Sequence, residues 1–166
     1  RLLAYHSISQ MGYVVLALGV GLQARASGMH AVASLAVFAG LFHMMNHSIF
    51  KSLLFLCSGS VVHGTGTRDL HELGGMGRKM PFTSLCTRVA SLSISGVPPF
   101  NGFFSKLLIT IAVVWAGHWV LGGITVLVSF MTLVSFTKVQ RYLIEGEVSE
   151  RNKSVRESPM PMLVSM

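Results

Sequence analysis

The sequence has 166 residues, 51% of them hydrophobic and only 11% charged, less than half the charged share of an ordinary soluble domain, about 25%. With a mean hydropathy of +0.61, this composition excludes a conventional water-soluble domain and points to a chain whose solvent is lipid. The net charge of +7 does not mark a nucleic-acid binder, because the basic residues flank apolar runs instead of forming an aromatic-studded face.

Four apolar regions are long enough to cross a hydrocarbon core of about 30 Å as helices, which predicts an all-α integral membrane bundle over residues 1–144. The first span covers 2–22. Arg1 is not an initiator methionine, and no targeting region precedes the apolar run, so no signal peptide is read and the start reads as cut. A polar connection with Gln23, Arg25 and Ser27 follows. The second span runs over 30–63 without a proline, longer than one crossing needs. It reads as a tilted helix with an interfacial first part, in preference to a helix broken near Gly40.

A polar loop at 64–79 carries Arg68, Asp69, Glu72, Arg78 and Lys79, and Pro81 is placed to open the next helix. The third region, 82–116, is interrupted at 96–102 by Gly96, Pro98, Pro99 and Gly102. Adjacent prolines must break a helix there. A fourth span covers 119–143, a charged linker covers 145–158, and residues 159–166 turn apolar again, as at the start of a further span that is cut off.

Charge asymmetry chooses the topology of the broken region. If it crosses once, Arg1, Arg68, Arg78, Lys79, Lys138, Arg141, Arg151, Lys153 and Arg156 share one side and Arg25 takes the other, as the positive-inside rule requires. If it crosses twice, that asymmetry dissolves. One discontinuous span is therefore expected, an element whose unwound backbone can line a polar cavity.

The chemistry-bearing residues lie inside the spans. His43, His47 and Lys51 occur at i, i+4 and i+8, a spacing that drifts about 40° per step and stacks all three on one helix face. A lysine at mid-membrane costs roughly 2.5–3.5 kcal/mol on insertion scales, so it should face a bundle interior or trapped water. Proton exchange near neutral pH is open to histidine as it stands and to a lysine whose ammonium burial has destabilised. Taken singly, each could instead be structural, the histidines bonding neighbouring helices and Lys51 snorkelling to an interface. Three in register, beside Asn46 and Ser48, favour a functional polar track.

Lys106 follows the Pro98–Pro99 break by less than two turns and should lie near mid-depth, solvated by freed backbone groups. All six acidic residues fall in loops or linkers, so a carboxylate partner for these lysines is expected from outside this sequence. His6, one turn into the first span, is a candidate member of the network, whereas His118 reads as interfacial, like Trp115 and Trp119. Arg88, within the first half of the broken span, has no assignment. Cys57 and Cys86 stand alone in apolar stretches and read as small buried hydrophobes.

The segments LAYHSISQMGY at 3–13, HMMNHSIFKSLLFLCSGS at 43–60, TRD at 67–69 with LGG at 73–75, and SGVPPFNGFFSK at 95–106 resemble the antiporter-like membrane subunits. That family is shared by respiratory complex I (NADH:quinone oxidoreductase), energy-converting hydrogenases including formate hydrogenlyase, and Mrp-type cation/proton antiporters. The resemblance covers almost the whole chain, in order. It implies a piece of the C-terminal half of such a subunit, with the family's second half-channel, and its discontinuous helix at Pro98 and Pro99. By motif position it implies that His43, His47 and Lys51 are central-axis proton-path residues and that Lys106 is the lysine near the exit. The first half-channel, with its glutamate and lysine, has no counterpart here. His6 stands where many members carry serine or threonine, which leans toward the hydrogenase-linked branch, and Arg88 stands where an apolar residue is expected.

The leading expectation is thus a proton-translocating subunit of a redox-driven complex that performs no electron chemistry itself. The chain lacks a cysteine set for an iron–sulfur cluster and a nucleotide fingerprint, so no cofactor is expected in it. Iron–sulfur, flavin or nickel–iron centres are expected in partner membrane-complex subunits. The alternative is an Mrp-type subunit exchanging sodium for protons. A haem-binding anchor fits less well, because His43 and His47 share one face and Lys51 adds a buried charge.

Overall fold

In the computed structural model, which describes residues 2–70, 72–148, 152 and 155–166, the helices are α1 (Leu2–Ala26), α2 (His30–Thr65), α3 (Met76–Lys79), α4 (Pro81–Ser95), α5 (Asn101–Trp115), α6 (Trp119–Gln140) and α7 (Met160–Val164). A π-helical turn, Arg141–Glu145, extends α6. No strand occurs among the described residues. Of the residues used above for charge asymmetry, Arg1, Arg151 and Lys153 lie outside the described set.

Among the described residues three helices, Leu2–Ala26, His30–Thr65 and Trp119–Glu145, are long and apolar enough to cross a membrane, and Asn101–Trp115 is a shorter apolar helix. Their outward residues are apolar: Ile8, Val15 and Leu22 on α1, Phe38 and Met45 on α2, and Val120, Leu127 and Phe130 on α6 are all exposed. Several polar side chains, among them Gln10, His43, Ser91 and Ser105, are fully buried. Polar inside and apolar outside is the arrangement a lipid solvent selects, since unpaired polar groups cannot face hydrocarbon. The chain is an all-α integral membrane protein.

The chain divides into two compact units, one of residues 1–49 and 93–133, the other of 50–92 and 134–166. In the first, α1 packs on the early part of α2 through small residues. A side-chain carbon on Gly21 would sit 2.9 Å from Val37, and one on Gly40 would sit 3.1 Å from Ala17. Gly40 therefore serves close helix approach, and α2 runs through it unbroken. At 36 residues that helix is about 54 Å long, well beyond a core of about 30 Å. Tyr13, Ala17 and Val20 of α1, Ala36 and Ala39 of α2, and Ile109, Ala112 and Val113 of α5 form the apolar core of this unit.

In the second unit the polar stretch expected as a loop at 64–79 is non-helical only over its described residues 66–70 and 72–75. Residues 76–79 form α3, and Leu73, Met76 and Met80 join Val61, Leu143, Ile144 and Val155 in a buried cluster. Alternation of glycine with basic residues hid these apolar anchors. Gly74, Gly75 and Gly77 admit the backbone of 144–148 so closely that a side-chain carbon on Gly74 would fall 2.4 Å from the Glu147 carbonyl oxygen. The tail of the charged linker is likewise packed. Glu157 accepts hydrogen bonds from the Phe82 amide (2.8 Å) and the Thr83 hydroxyl (2.6 Å), so a distant carboxylate caps the open amides of α4 at its positive end. Ser60 lies within hydrogen-bond reach of both Thr83 and Ser158.

The break between α4 and α5 belongs to the first unit. Gly96 closes α4 with φ +75°, a left-handed conformation for which glycine is suited. Gly102 lets α5 begin against the end of α4, because a side-chain carbon there would fall 1.8 Å from the Ser93 carbonyl oxygen. Gly102→Ala should consequently destabilise the fold by at least about 1–3 kcal/mol, the usual scale of overpacking. A lower unfolding midpoint in detergent and a reduced membrane yield of folded protein would show it.

Candidate functional site

The site begins with a missing hydrogen bond. In a continuous helix the Ile94 carbonyl would accept from the amide four residues on, but that residue is Pro98, which has no N–H. Lys106 fills the vacancy: its Nζ donates to the Ile94 carbonyl oxygen at 2.7 Å. Gly96 makes room for the lysine stem, since a side-chain carbon there would lie 3.2 Å from Lys106 Cδ. The lysine is buried, with 4% of its surface exposed.

Two further groups surround it. The Tyr13 ring lies with its centroid 5.3 Å from Lys106 Nζ, within cation–π range. The tyrosine is held from α6, its hydroxyl donating to the Thr125 carbonyl oxygen at 2.5 Å and lying 3.0 Å from Ser129 Oγ. His43, fully buried, also stands by that ring, its centroid 5.5 Å from that of Tyr13. Its Nδ1 is 2.9 Å from the hydroxyl of Ser105, the residue before Lys106. The Ser105 hydroxyl also lies 3.2 Å from the Gly102 carbonyl oxygen, which accepts from it.

The start of α5 is clamped to α2. Asn101 Nδ2 donates to Asn46 Oδ1 at 3.1 Å, Asn46 Nδ2 donates to the Asn101 carbonyl at 3.5 Å, and Asn101 Oδ1 accepts from the Gly102 amide at 3.0 Å. This fixes Ser105 and Lys106 relative to His43. A cavity of about 180 Å³ opens beside them, lined by Gly96, Phe103, Lys106, Thr110, Val126 and Ser129. That is several times the roughly 30 Å³ share of one water in the liquid. Thr110 Oγ1, which donates to the Lys106 carbonyl and lies 2.9 Å from Thr125 Oγ1, continues the polar lining toward α6.

The first unit contains no Asp or Glu at all. Within it, the groups placed against the Lys106 ammonium are a carbonyl dipole and an aromatic face.

The structure thus brings His43 and Lys106 to one place, through Tyr13 and Ser105. His47 is buried one turn along the same face of α2. Lys51, one turn further on that helix, belongs to the second unit, where it is 6% exposed and its Nζ lies 5.4 Å from the Phe55 centroid. His6 is half-buried on α1. His118 sits at the turn before α6, its Nε2 2.8 Å from Gln23 Oε1, and Arg88 is exposed beside a groove that also includes Gly77, Pro81 and Ser84. Among the described residues no three His, Cys, Asp or Glu side chains converge as a metal site. Sequence reasoning missed Tyr13, Ser105, Thr110 and Ser129. Tyr13 could have been singled out as a polar aromatic within an apolar span, but nothing in the linear order pairs it with Lys106.

A family model described as "NADH:quinone oxidoreductase/Mrp antiporter, TM" matches residues 1–132. The chain is 42% identical over 121 residues to formate hydrogenlyase subunit 3 of Escherichia coli (strain K12), covering 73% of this chain and 18% of that protein. It is 44% identical over 107 residues to Na(+)/H(+) antiporter subunit A1 of Staphylococcus saprophyticus, covering 63% of this chain and 13% of that one. The chain therefore spans under a fifth of the length of these two relatives. Its fold matches a chain of the membrane-bound sulfane sulfur reductase, an archaeal respiratory membrane complex, with a TM-score of 0.76 at 24% identity, over 98% of this chain and 30% of that one.

Tyr13→Phe retains the ring beneath Lys106 and deletes only the hydroxyl. The loss of its bonds to Thr125 and Ser129 should cost about 0.5–1.5 kcal/mol, measured as a drop in the unfolding midpoint. An unchanged midpoint would show that the hydroxyl does not tie α1 to α6.

Proposed function

This chain belongs to the NADH:quinone oxidoreductase/Mrp antiporter transmembrane family, and from that membership we propose that it is part of a proton-translocating subunit of a redox-driven membrane complex. The observation that carries the reading is the buried Lys106, held by a proline-freed carbonyl and the Tyr13 ring next to His43, in a unit without a carboxylate. A structural lysine would be expected to neutralise a buried acid. One whose ammonium rests on neutral dipoles can give up its proton without stranding a partner charge.

In this reading a proton passes along His47 and His43 on α2 to the neighbouring Lys106 amine, and leaves through water in the adjoining cavity. Lys51 takes the same role in the second unit, one helical turn from His47, and His6 joins the network from α1. Gly96, Pro98, Pro99 and Gly102 build the break that frees the carbonyl. The chain itself carries out no electron transfer. Iron–sulfur, flavin or nickel–iron centres belong to partner subunits of a multisubunit assembly, and the chain crosses the bilayer several times, in a prokaryotic cytoplasmic membrane.

The second reading, favoured by the 44% identity to a Na(+)/H(+) antiporter subunit, is exchange of sodium for protons driven by ion gradients. Proton uptake by sealed vesicles that follows electron-donor addition and needs no sodium gradient supports the first reading. Exchange that is indifferent to electron donors supports the second. Under the first, Lys51→Ala and Lys106→Ala should each lower proton pumping by assembled complexes at least about tenfold, the lower range for loss of a positioned proton carrier. Parental pumping with both lysines removed would reduce them to structural residues.

A further inference from the structure

Arg88 is used neither by the site nor by the packing of the fold. It is exposed on α4, the first half of the broken span, and among the described residues no hydrogen bond or ion pair holds its guanidinium. Phe82, Leu85 and Val89 of the same helix are exposed as well, so the arginine stands in a surface that otherwise suits hydrocarbon. A permanent positive charge there is strongly unfavourable unless an anion meets it.

The second unit offers a place for that anion. Pro81, Ser84, Leu85 and Arg88 recur at i, i+3, i+4 and i+7 and share one face of α4. With Gly77 of α3 and Ile144 of the π-helical turn they line a groove of about 330 Å³, roughly ten times one water's share of the liquid. Arg88 is seven residues past Pro81, about 10 Å deeper along the helix axis. A helical side chain leans toward the N-terminus of its own helix, here toward Pro81 and Gly77, beside which Arg78 is exposed. The stem of Arg88 can therefore lie along apolar surface while its guanidinium reaches up the groove to the membrane interface.

The groove also holds an unused donor and no acid. The Ser84 hydroxyl makes no hydrogen bond among the described residues. None of the lining residues is acidic, and Glu145, beside Ile144 in sequence, makes no ion pair with Arg88. The Glu157 carboxylate is bound to the Phe82 amide and the Thr83 hydroxyl, and Thr83 projects about 150° round the helix from the middle of the groove face.

We propose that this groove binds the headgroup of an anionic phospholipid, its phosphodiester paired with Arg88 and Ser84 and its glycerol and upper acyl chain lying against Leu85 and Ile144. A guanidinium presents parallel N–H donors that match two phosphate oxygens. A zwitterionic headgroup brings an ammonium of its own, which Arg78 and Arg88 repel, whereas a net negative one is drawn to them. An acidic side chain from a neighbouring subunit would meet the charge but leave most of the groove, and the apolar face it joins, unfilled. A phospholipid satisfies both parts at once.

The test compares the parent complex with Arg88→Leu, an exposed change to the apolar character of the surrounding face. Each is titrated in detergent with phosphatidylglycerol, bound lipid being counted by native mass spectrometry, and mapped at high resolution in discs of phosphatidylglycerol and phosphatidylcholine in equal parts. The expected parent map has a lipid phosphate within about 3 Å of the Arg88 guanidinium, absent in Arg88→Leu. The Kd of that site for phosphatidylglycerol should rise at least about fivefold in the variant, the scale of one basic contact at a lipid surface, and Arg88→Lys should fall between the two. A parent map in which Arg88 meets an acidic side chain of another subunit, a phosphate without an acyl chain, or no anion overturns the lipid site, and it decides the point even where Arg88→Leu does not assemble. Equal affinity for phosphatidylcholine overturns the anionic class, and an unchanged Kd in Arg88→Leu overturns the part given to Arg88.

Discussion

The absence of an N–H on Pro98 organises the first unit. A helix passing through hydrocarbon must satisfy every carbonyl internally, since no water is at hand to do so. A proline four residues after Ile94 makes that impossible for the Ile94 carbonyl. The sequence answers twelve residues later with Lys106, whose ammonium needs an oxygen as much as the carbonyl needs a donor. Each group would be unfavourable in lipid alone. Together they form one charge-assisted hydrogen bond of 2.7 Å, a class worth about 1.5–3 kcal/mol, against an insertion cost for a central lysine of roughly 2.5–3.5 kcal/mol. The bond and the Tyr13 ring are thus of the right size to offset the lysine's burial without an acidic partner.

From that bond the neighbouring geometry follows. For Nζ to reach the Ile94 oxygen, the lysine stem must pass Gly96 and α5 must start hard against Ser93, which Gly102 alone permits. The Asn46–Asn101 clamp then sets the rotation of α5 relative to α2, and with it the pairing of His43 with Ser105. Tyr13 joins the remaining elements: its ring lies near both His43 and Lys106, and its hydroxyl is anchored on α6.

Much of this could be read from the order of residues. The apolar runs, the proline break and the four-residue spacing of His43, His47 and Lys51 are local signals, set by helix period and by proline's covalent structure. What escaped were contacts made across elements. Tyr13 and Lys106 are far apart in sequence, and Ser105 is one hydroxyl among many in an apolar chain until the fold turns it toward His43. In the stretch 64–79 the loop was legible, but not its packing. Its glycines and charges look like a solvated loop, but Leu73, Met76 and Met80 pack against Leu143, Ile144 and Val155, and the glycines are there to let that backbone approach. Arg88 has no partner among the described residues: it is exposed beside a groove, and nothing it touches in the chain explains a guanidinium on that helix.

The lack of any acidic residue in the first unit has a mechanistic side as well. A carboxylate beside Lys106 would bind the ammonium tightly and be left as a bare buried charge whenever the proton departed, so the pair would resist exchange. A carbonyl and an aromatic face carry no net charge in either state. The neutral amine can still donate to the carbonyl, and its lone pair becomes available to water in the cavity lined by Thr110 and Ser129. The two protonation states of Lys106 can therefore share one backbone arrangement, and the element that decides between them need not lie in this unit. In the proposed reading, that decision comes from charge changes elsewhere in the assembly, felt at long range through a low-dielectric interior to which the first unit itself contributes no anion.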